Sequence, residues 1–184
     1  MSLDDQLETF GLTQDQFQRF ASLQKFPAKT TLLYEGEIAT KVFLVKKGAL
    51  RLWNNNDGDD ITIQFFFEDH FVASFESFQT QSPSKFSLEC LEDSEVFVLE
   101  RKTLAEMLAK NPNLKERLLA LITKRFTDYI DYFLSRIKNT PEQRYQELKE
   151  KRPDILARVP HYYIASYLGI TPVSLSRIKK RVGD

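Results

Sequence analysis

The stretch His161–Val182 (HYYIASYLGITPVSLSRIKKRV) restricts the fold more than any other. Its apolar residues fall at helical spacing on either side of a glycine. Ile164, Ala165 and Leu168 share one face of a first helix, expected over about His161–Leu168. Gly169 can turn the chain, because a residue without Cβ takes positive φ at little steric cost. Thr171 is placed to cap a second helix, and Pro172 suits the first helical position, where its missing N–H costs nothing. Ser174 stands where a full capping box would have Glu or Gln. After the turn, Ile170, Leu175 and Ile178 supply the matching apolar face, and Ala165 is small where two helices must cross closely. The other side of the second helix carries Ser176, Arg177, Lys180 and Arg181. This order defines a helix-turn-helix, whose apolar face packs on its own domain while its basic face enters a major groove. The alternative is a basic C-terminal helix that is merely solvated.

Charge follows the same division. The chain has 26 Lys+Arg and 26 Asp+Glu, a formal net charge of zero. Residues 141–184 hold nine Lys+Arg against five Asp+Glu, which is +4 and leaves −4 on the rest. An acidic body with a basic end suits phosphate binding at one end only. With 184 residues, 42% of them hydrophobic, the chain can bury one or two small cores. A single cysteine, Cys90, excludes an internal disulfide and any cluster ligated by cysteines of one chain. No apolar run reaches the length of a membrane span, and no basic-then-apolar leader opens the sequence. A cytoplasmic protein with no membrane partner is therefore expected by elimination.

Upstream the texture changes twice. Asp4–Gln24 carries Leu7, Phe10, Leu12, Phe17, Phe20 and Leu23 among polar residues, which suggests one or two short helices over a core. From Phe26 to about Leu99, short β-branched and aromatic runs alternate with turn residues. Strands are expected at Thr31–Tyr34, Val42–Val45, Ala49–Trp53, Ile61–Phe67, Phe86–Leu91 and Glu95–Leu99. Asn54–Asp60 is a hairpin tip around Gly58, and Gly36 and Gly48 mark corners. Such strands make a small antiparallel barrel or roll. After Arg101 the pattern is helical. Thr103 can cap a helix through Ala109, and Pro112 restarts the chain into a long helix ending near Lys138. On it, Leu114, Leu118, Leu121, Ile122, Arg125, Tyr129, Tyr132 and Phe133 recur at three- and four-residue steps. That coverage is wider than packing on one roll requires, so a dimer seam is expected as well. The other reading is a single helix lying on its own domain. Thr140-Pro141 starts another helix to about Lys151, and Pro153 and Pro160 bracket a short connection. The expected class is α+β: a sensor domain over 1–138 (β-roll about 26–99, long helix about 112–138) and a helix-turn-helix domain over 139–184.

An acidic roll, a long helix and a helix-turn-helix in this order resemble the CRP/FNR family of bacterial transcription regulators over nearly the full length. The resemblance is carried by LYEGEIATKVFLVKKGALRLW (Leu33–Trp53), FVASFESFQTQSPSKFSLECLEDSEVFVL (Phe71–Leu99) and YIASYLGITPVSLSRIKK (Tyr163–Lys180). It implies a cyclic-nucleotide-binding-like roll, a homodimer joined through the long helix, and a hinge near Ile137–Pro141. It further implies double-stranded DNA as partner, with RNA polymerase as another, and no catalysis. At the family's base-reading places this chain has Pro172, Val173 and Arg177. Arg177 can pair with guanine O6 and N7, and Val173 offers apolar contact only. Thr171 and Ser176 flank them, and Lys179, Lys180 and Arg181 are expected on phosphates. The chain stops at Asp184, just past this helix, so the family's C-terminal β-wing is not expected.

The effector region departs from the resemblance. In cAMP-binding members a Gly-Glu pair and an Arg-Ser pair hold the ribose and the cyclic phosphate. Here Ala73-Ser74 and Ser84-Lys85 stand in those places, so the ribose acceptor and the guanidinium are both missing. Lys85 supplies one point charge, which does not copy a guanidinium fork. A pocket around Phe71, Ala73, Ser74, Phe75, Ser84 and Lys85 is expected to take an effector more apolar than cAMP. Otherwise the rings of Phe71, Phe75, Phe78 and Phe86 fill the roll and no ligand binds; a cAMP-responsive regulator of the same type is the remaining alternative. No cofactor or metal is expected: His70 and His161 fall on different domains, too few for a cupin-type metal enzyme. Cys90 on a strand reads as a small buried hydrophobe rather than a haem or cluster ligand. A third class, a roll that binds a protein while the helix-turn-helix packs against it, predicts little DNA affinity.

Overall fold

The computed structural model describes residues 7–8 and 13–183, so the expectations on Phe10 and Leu12 lie outside the described residues. Strand alternation builds the roll. β1 (Ser22–Phe26), β2 (Thr31–Leu33), β3 (Lys41–Lys47), β4 (Leu50–Asn56), β5 (Asp59–Phe66), β6 (Phe71–Val72), β7 (Ser87–Cys90) and β8 (Ser94–Glu100) form two four-stranded sheets. Their orders are β1-β8-β3-β6 and β2-β7-β4-β5, with antiparallel pairing throughout. Val45, Leu50, Leu88, Cys90 and Val96 fill the space between the sheets. The chain can turn between β3 and β4 because Gly48 has φ 107° and a Cβ there would meet Ser94 Cα at 2.8 Å.

Alternate residues point outward. From β3 and β8, Leu44, Phe97 and Leu99 face a helical layer of α1 (Gln14–Gln18), α3 (Arg101–Lys110) and the long α4 (Pro112–Lys138). Phe17, Met107 and Leu114 complete this second core. The short α2 (Phe75–Thr80) lies in the chain between β6 and β7.

Three expectations are corrected here. Ser22–Phe26 is a strand, not the end of a helix: it pairs with β8, Leu23 opposite Phe97. Edge pairing outweighed the helical periodicity, and Phe20 and Leu23 end exposed. Thr103 caps nothing, because α3 begins at Arg101 directly after β8 and the Arg101 N–H donates to Thr40 O at 2.8 Å. The connection after Pro153 is itself a helix, α6 (Pro153–Arg158).

The C-terminal part comprises α5 (Pro141–Lys151), α6, α7 (His161–Leu168) and α8 (Pro172–Val182). It is not a bead on a string. A third core joins Tyr145, Leu148, Ile155, Ile164, Leu168, Leu175 and Ile178 to Ala49, Phe65 and Phe67 of the roll. Polar contacts lock the same junction. β5 is a sheet edge, and the Ser166 hydroxyl on α7 fills it, accepting from Thr62 N (2.8 Å) and donating to Asp60 O (2.5 Å). Arg51, 2% exposed, meets Asp60 at 2.6 and 2.7 Å and Glu89 at 2.9 Å, and its guanidinium lies 3.8 Å from the Tyr163 ring centroid. Arg158 forks onto Glu68 at 2.6 and 2.9 Å and also bonds Glu92, while its guanidinium lies over Phe67.

The Arg158 bonds, together with the Gly48 N–H, hold the Glu68 carboxyl down at about 2, against 4.5 for an ordinary glutamate. A folded-state value below the unfolded one gives stability that is complete above about pH 4.5 and is lost as pH falls toward 2. Glu68→Gln is therefore expected to lower the melting temperature at neutral pH, with the gap to the parent protein closing between pH 4.5 and 2. Thermal unfolding across that range checks this. An equal gap at every pH would remove the ionic contribution.

Candidate nucleic-acid interface and effector pocket

The geometry of α8 follows from its caps and its buried stripe. Gly169 ends α7 with φ 68° and ψ 38°, and Thr171 Oγ1 accepts from Ser174 N at 3.1 Å. Arg136 and Tyr132 of α4 brace the turn: the Tyr132 hydroxyl and Arg136 Nη1 donate to Tyr167 O at 3.0 and 2.8 Å. Leu175 and Ile178 are buried, which fixes the rotation of α8 about its axis. Thr171, Pro172, Val173, Ser176, Arg177 and Lys180 are consequently exposed, Val173 at 60%. Arg177 and Lys180 make no ion pair with any described residue. Lys179 is half-buried, and Arg181 is engaged with Glu142 of α5 at 2.6 Å. Six of the eight residues expected at the nucleic acid thus share one open surface. Lys179 lies at its side, and Arg181, though exposed, is tied to Glu142.

The expected effector residues do not converge. Ser74 and Ser84 are buried, and their hydroxyls lie 2.8 Å apart. Lys85 extends along the surface to Glu76 of α2 at 2.8 Å. Phe71 is turned to the opposite face of its sheet, edge-on to Phe17 with centroids 6.4 Å apart. It pairs in register with Leu44, which points into the helical core, whereas its neighbour Val72 points into the roll. Phe75 is half exposed, Ala73 packs on the roll core, and Phe78 is buried in it with the Arg101 Nε–H donating to its carbonyl at 3.0 Å.

The open space is a groove of about 460 Å³ lined by Leu33, Ile38, Ala39, Thr40, Phe43 and Leu88, with Ser74 alone from the expected set. Glu37 and Lys41 also line it, and no guanidinium does. Leu33, Glu37, Ile38, Ala39, Thr40, Lys41 and Phe43 come from the stretch Leu33–Trp53 around Gly36, and Ser74 and Leu88 from Phe71–Leu99.

The remaining chemistry is quiet. Cys90 is fully buried, and burial pushes its thiol up to about 11. The His70 ring bonds the Phe67 backbone, and burial lowers its pKa further than that bond raises it. Among the described residues no three His, Cys, Asp or Glu side chains gather as a metal site.

Helix α4 carries two stripes. Leu114 is buried against α1 and α3, Leu121 packs on the same core, and Tyr132 stacks on Tyr167 at 5.1 Å. Leu118, Ile122 and Arg125 are half-buried. Tyr129 and Phe133 face solvent, in company with Leu119, Phe126, Ile130, Leu134 and Ile137. The exposed apolar row is thus offset from the eight residues expected at the seam, because Leu114, Leu121 and Tyr132 are used within the chain.

The architecture is thus a two-sheet roll joined by a long helix to a helix-turn-helix. Residues 23–111 match the cyclic nucleotide-binding domain family. The cAMP-activated global transcriptional regulator CRP of Escherichia coli is 22% identical over 114 residues, 61% of this chain and 54% of that protein. CRP of Haemophilus influenzae is 25% identical over 112 residues, 60% and 50% of the two chains. The chain spans about half the length of the curated relatives it matches. FixK2 from Bradyrhizobium japonicum superposes with a TM-score of 0.77 at 19% identity, covering 89% of this chain and 84% of that one. A CooA mutant from Carboxydothermus hydrogenoformans gives 0.76 at 14% identity, over 100% and 86%. The fold is CRP-like, shared with these solved structures.

Burying a phosphate monoanion without a matched donor is costly. Titration calorimetry with cAMP is therefore expected to give no saturable binding below about 1 mM, equivalent to roughly 4 kcal/mol. Saturation at micromolar cAMP would overturn this reading of the groove.

Proposed function

We propose that this chain is a homodimeric, sequence-specific DNA-binding transcription regulator of the CRP/FNR type, controlled by a small effector other than cAMP. The orientation of α8 carries the reading. Its buried Leu175 and Ile178 turn Ser176, Arg177 and Lys180 outward as one ridge, and no described residue covers that ridge. Arg177 pairs with a guanine edge, Val173 touches a thymine methyl, and Lys180 holds the phosphate backbone with Lys179 and Arg181 beside it. The matched relatives are cAMP-activated global transcriptional regulators, which supports the regulator reading and not the choice of effector.

Selection from random duplex DNA is expected to yield a two-fold-symmetric site, with half-sites about 10–10.5 bp apart and affinity falling as salt rises. On that site Arg177→Ala should cost about 1–3 kcal/mol and relax preference at one position per half-site. An equal loss on every sequence would remove the base-reading role.

The dimer rests on the outer stripe of α4. Leu119, Thr123, Phe126, Ile130, Phe133 and Ile137 follow the alternating four- and three-residue steps of a coiled-coil seam. Five of the six are exposed large hydrophobics in the single chain. Phe126→Glu combined with Phe133→Glu is expected to give a folded monomer in sedimentation, with unchanged circular dichroism. A dimer that persists in the double variant would move the interface elsewhere.

A further inference from the structure

A second cavity, of about 480 Å³, lies where the roll, α4 and the C-terminal helices meet. It is separate from the groove in the roll. Its volume falls in the range of about 300–1,000 Å³ usual for small-molecule sites. Phe65, Tyr132 and Tyr167 form an aromatic wall, with Phe65 and Tyr132 each about one ring contact from Tyr167, at 5.2 and 5.1 Å.

The cations around it are under-matched. Arg125 of α4 lines the cavity and makes no hydrogen bond or ion pair with any described residue. Desolvation, only partly offset by Asp128 on its own helix, pulls its pKa down. Farther along, Arg136 and Arg144 are brought together. Arg144 Nη1 donates to the Arg136 carbonyl at 3.1 Å, and its Nε is buried without a partner. Burial first, and then the neighbouring Arg136 charge, pull the Arg144 pKa down, and the Arg136 donors go to Tyr132 and Tyr167 oxygens rather than to an acid. The acids on the lining are engaged elsewhere. Glu147 bonds Ser135, Asn139 and Lys151, Asp128 lies 3.5 Å from Lys124, and Asp131 acts on Lys151. Arg136 and Arg144 are like charges with no described carboxylate bonded to either, and such a pair in a partly dry cleft is stabilised by an anion.

We infer that this cleft binds a small anionic ligand through phosphate or carboxylate groups, with Arg136 and Arg144 as one anchor and Arg125 as the other. The two anchors lie about 16 Å apart along α4, from a rise of about 1.5 Å per residue. The ligand is therefore elongated, with the aromatic wall against its middle. Arg136 also holds the end of α7, and its Nη2 sits where a Gly169 side chain would be, 2.4 Å from an ideal Cβ. An anion drawn onto Arg136 is thus felt at the turn of the helix-turn-helix.

A linear inorganic polyphosphate long enough to span about 16 Å is the probe, titrated calorimetrically into the full chain at constant ionic strength, with chloride as the control and no DNA present. Saturable binding is expected, weakened tenfold or more by Arg144→Gln and by Arg125→Gln. Arg177→Ala/Lys180→Ala should leave it unchanged. No saturable binding, or binding that survives both glutamine variants, overturns the site. So does binding lost in the α8 variant, which would place the anion on the DNA-reading ridge. If Arg144→Gln fails to fold by circular dichroism, Arg125→Gln decides alone. The test contains no DNA, so its failure leaves the proposed regulator function standing, and the converse also holds.

Discussion

Three consecutive phenylalanines, the last two residues of β5 and Phe67 just after it, hold the two halves of the chain together. Side chains alternate across a strand, so Phe66 enters the roll core while Phe65 and Phe67 enter the junction with α5–α8. Each ring buried there is worth about 1.5–3 kcal/mol over exposure. A one-residue slip would send one ring to the junction and two into a roll already filled by Phe43, Leu50 and Val96. The register is therefore specified from both sides of the sheet.

The same strand would otherwise be an aggregation-prone edge. Native sheets blunt such edges with charge or cover them. Here Ser166 replaces the missing neighbour strand, satisfying one N–H and one C=O of β5. Buried beneath α7, Arg51 is matched by two carboxylates and two aromatic faces, so its desolvation is compensated. The corner near Ile137–Pro141, where the resemblance implies a hinge, is stapled as well. Glu147 bonds both Ser135 and Asn139 across it, and Thr140 forms a full capping box with Gln143. Any movement of the C-terminal helices relative to the roll has to break named polar contacts rather than swing on a free tether.

What could be read from sequence follows the range of the forces involved. The helix-turn-helix was legible because its signals are local: a positive-φ glycine, a threonine cap and a proline at the first helical position. The central strands were legible from their β-branched and aromatic runs. β1, α2 and α6 were not, since they are short and depend on partners far along the chain. The effector set failed at Phe71 for a related reason: which way a two-residue strand faces depends on its pairing with Leu44, which periodicity does not report. On α4, periodicity saw one broad apolar surface where there are two stripes. Leu114 and Tyr132 turn inward, while Leu119 and Phe126 turn outward. Only the packed neighbours separate them.

The charge asymmetry also means less than its sum. Part of the basic excess of residues 141–184 is consumed at the junction, where Arg158 meets Glu68 and Glu92, while Arg181 is held by Glu142 within the segment itself. Arg51 takes up Asp60 and Glu89 within the acidic roll itself. The cations left free on α8 are few, chiefly Arg177 and Lys180. A ridge this short neutralises few phosphates, so one copy gains little nonspecific affinity. Under the proposed function, tight binding must then come from holding two ridges on one duplex, where the second binding event becomes intramolecular. The outer stripe of α4 and the reading ridge of α8 are in that sense one device: the weaker each single ridge, the more recognition depends on the seam that pairs them.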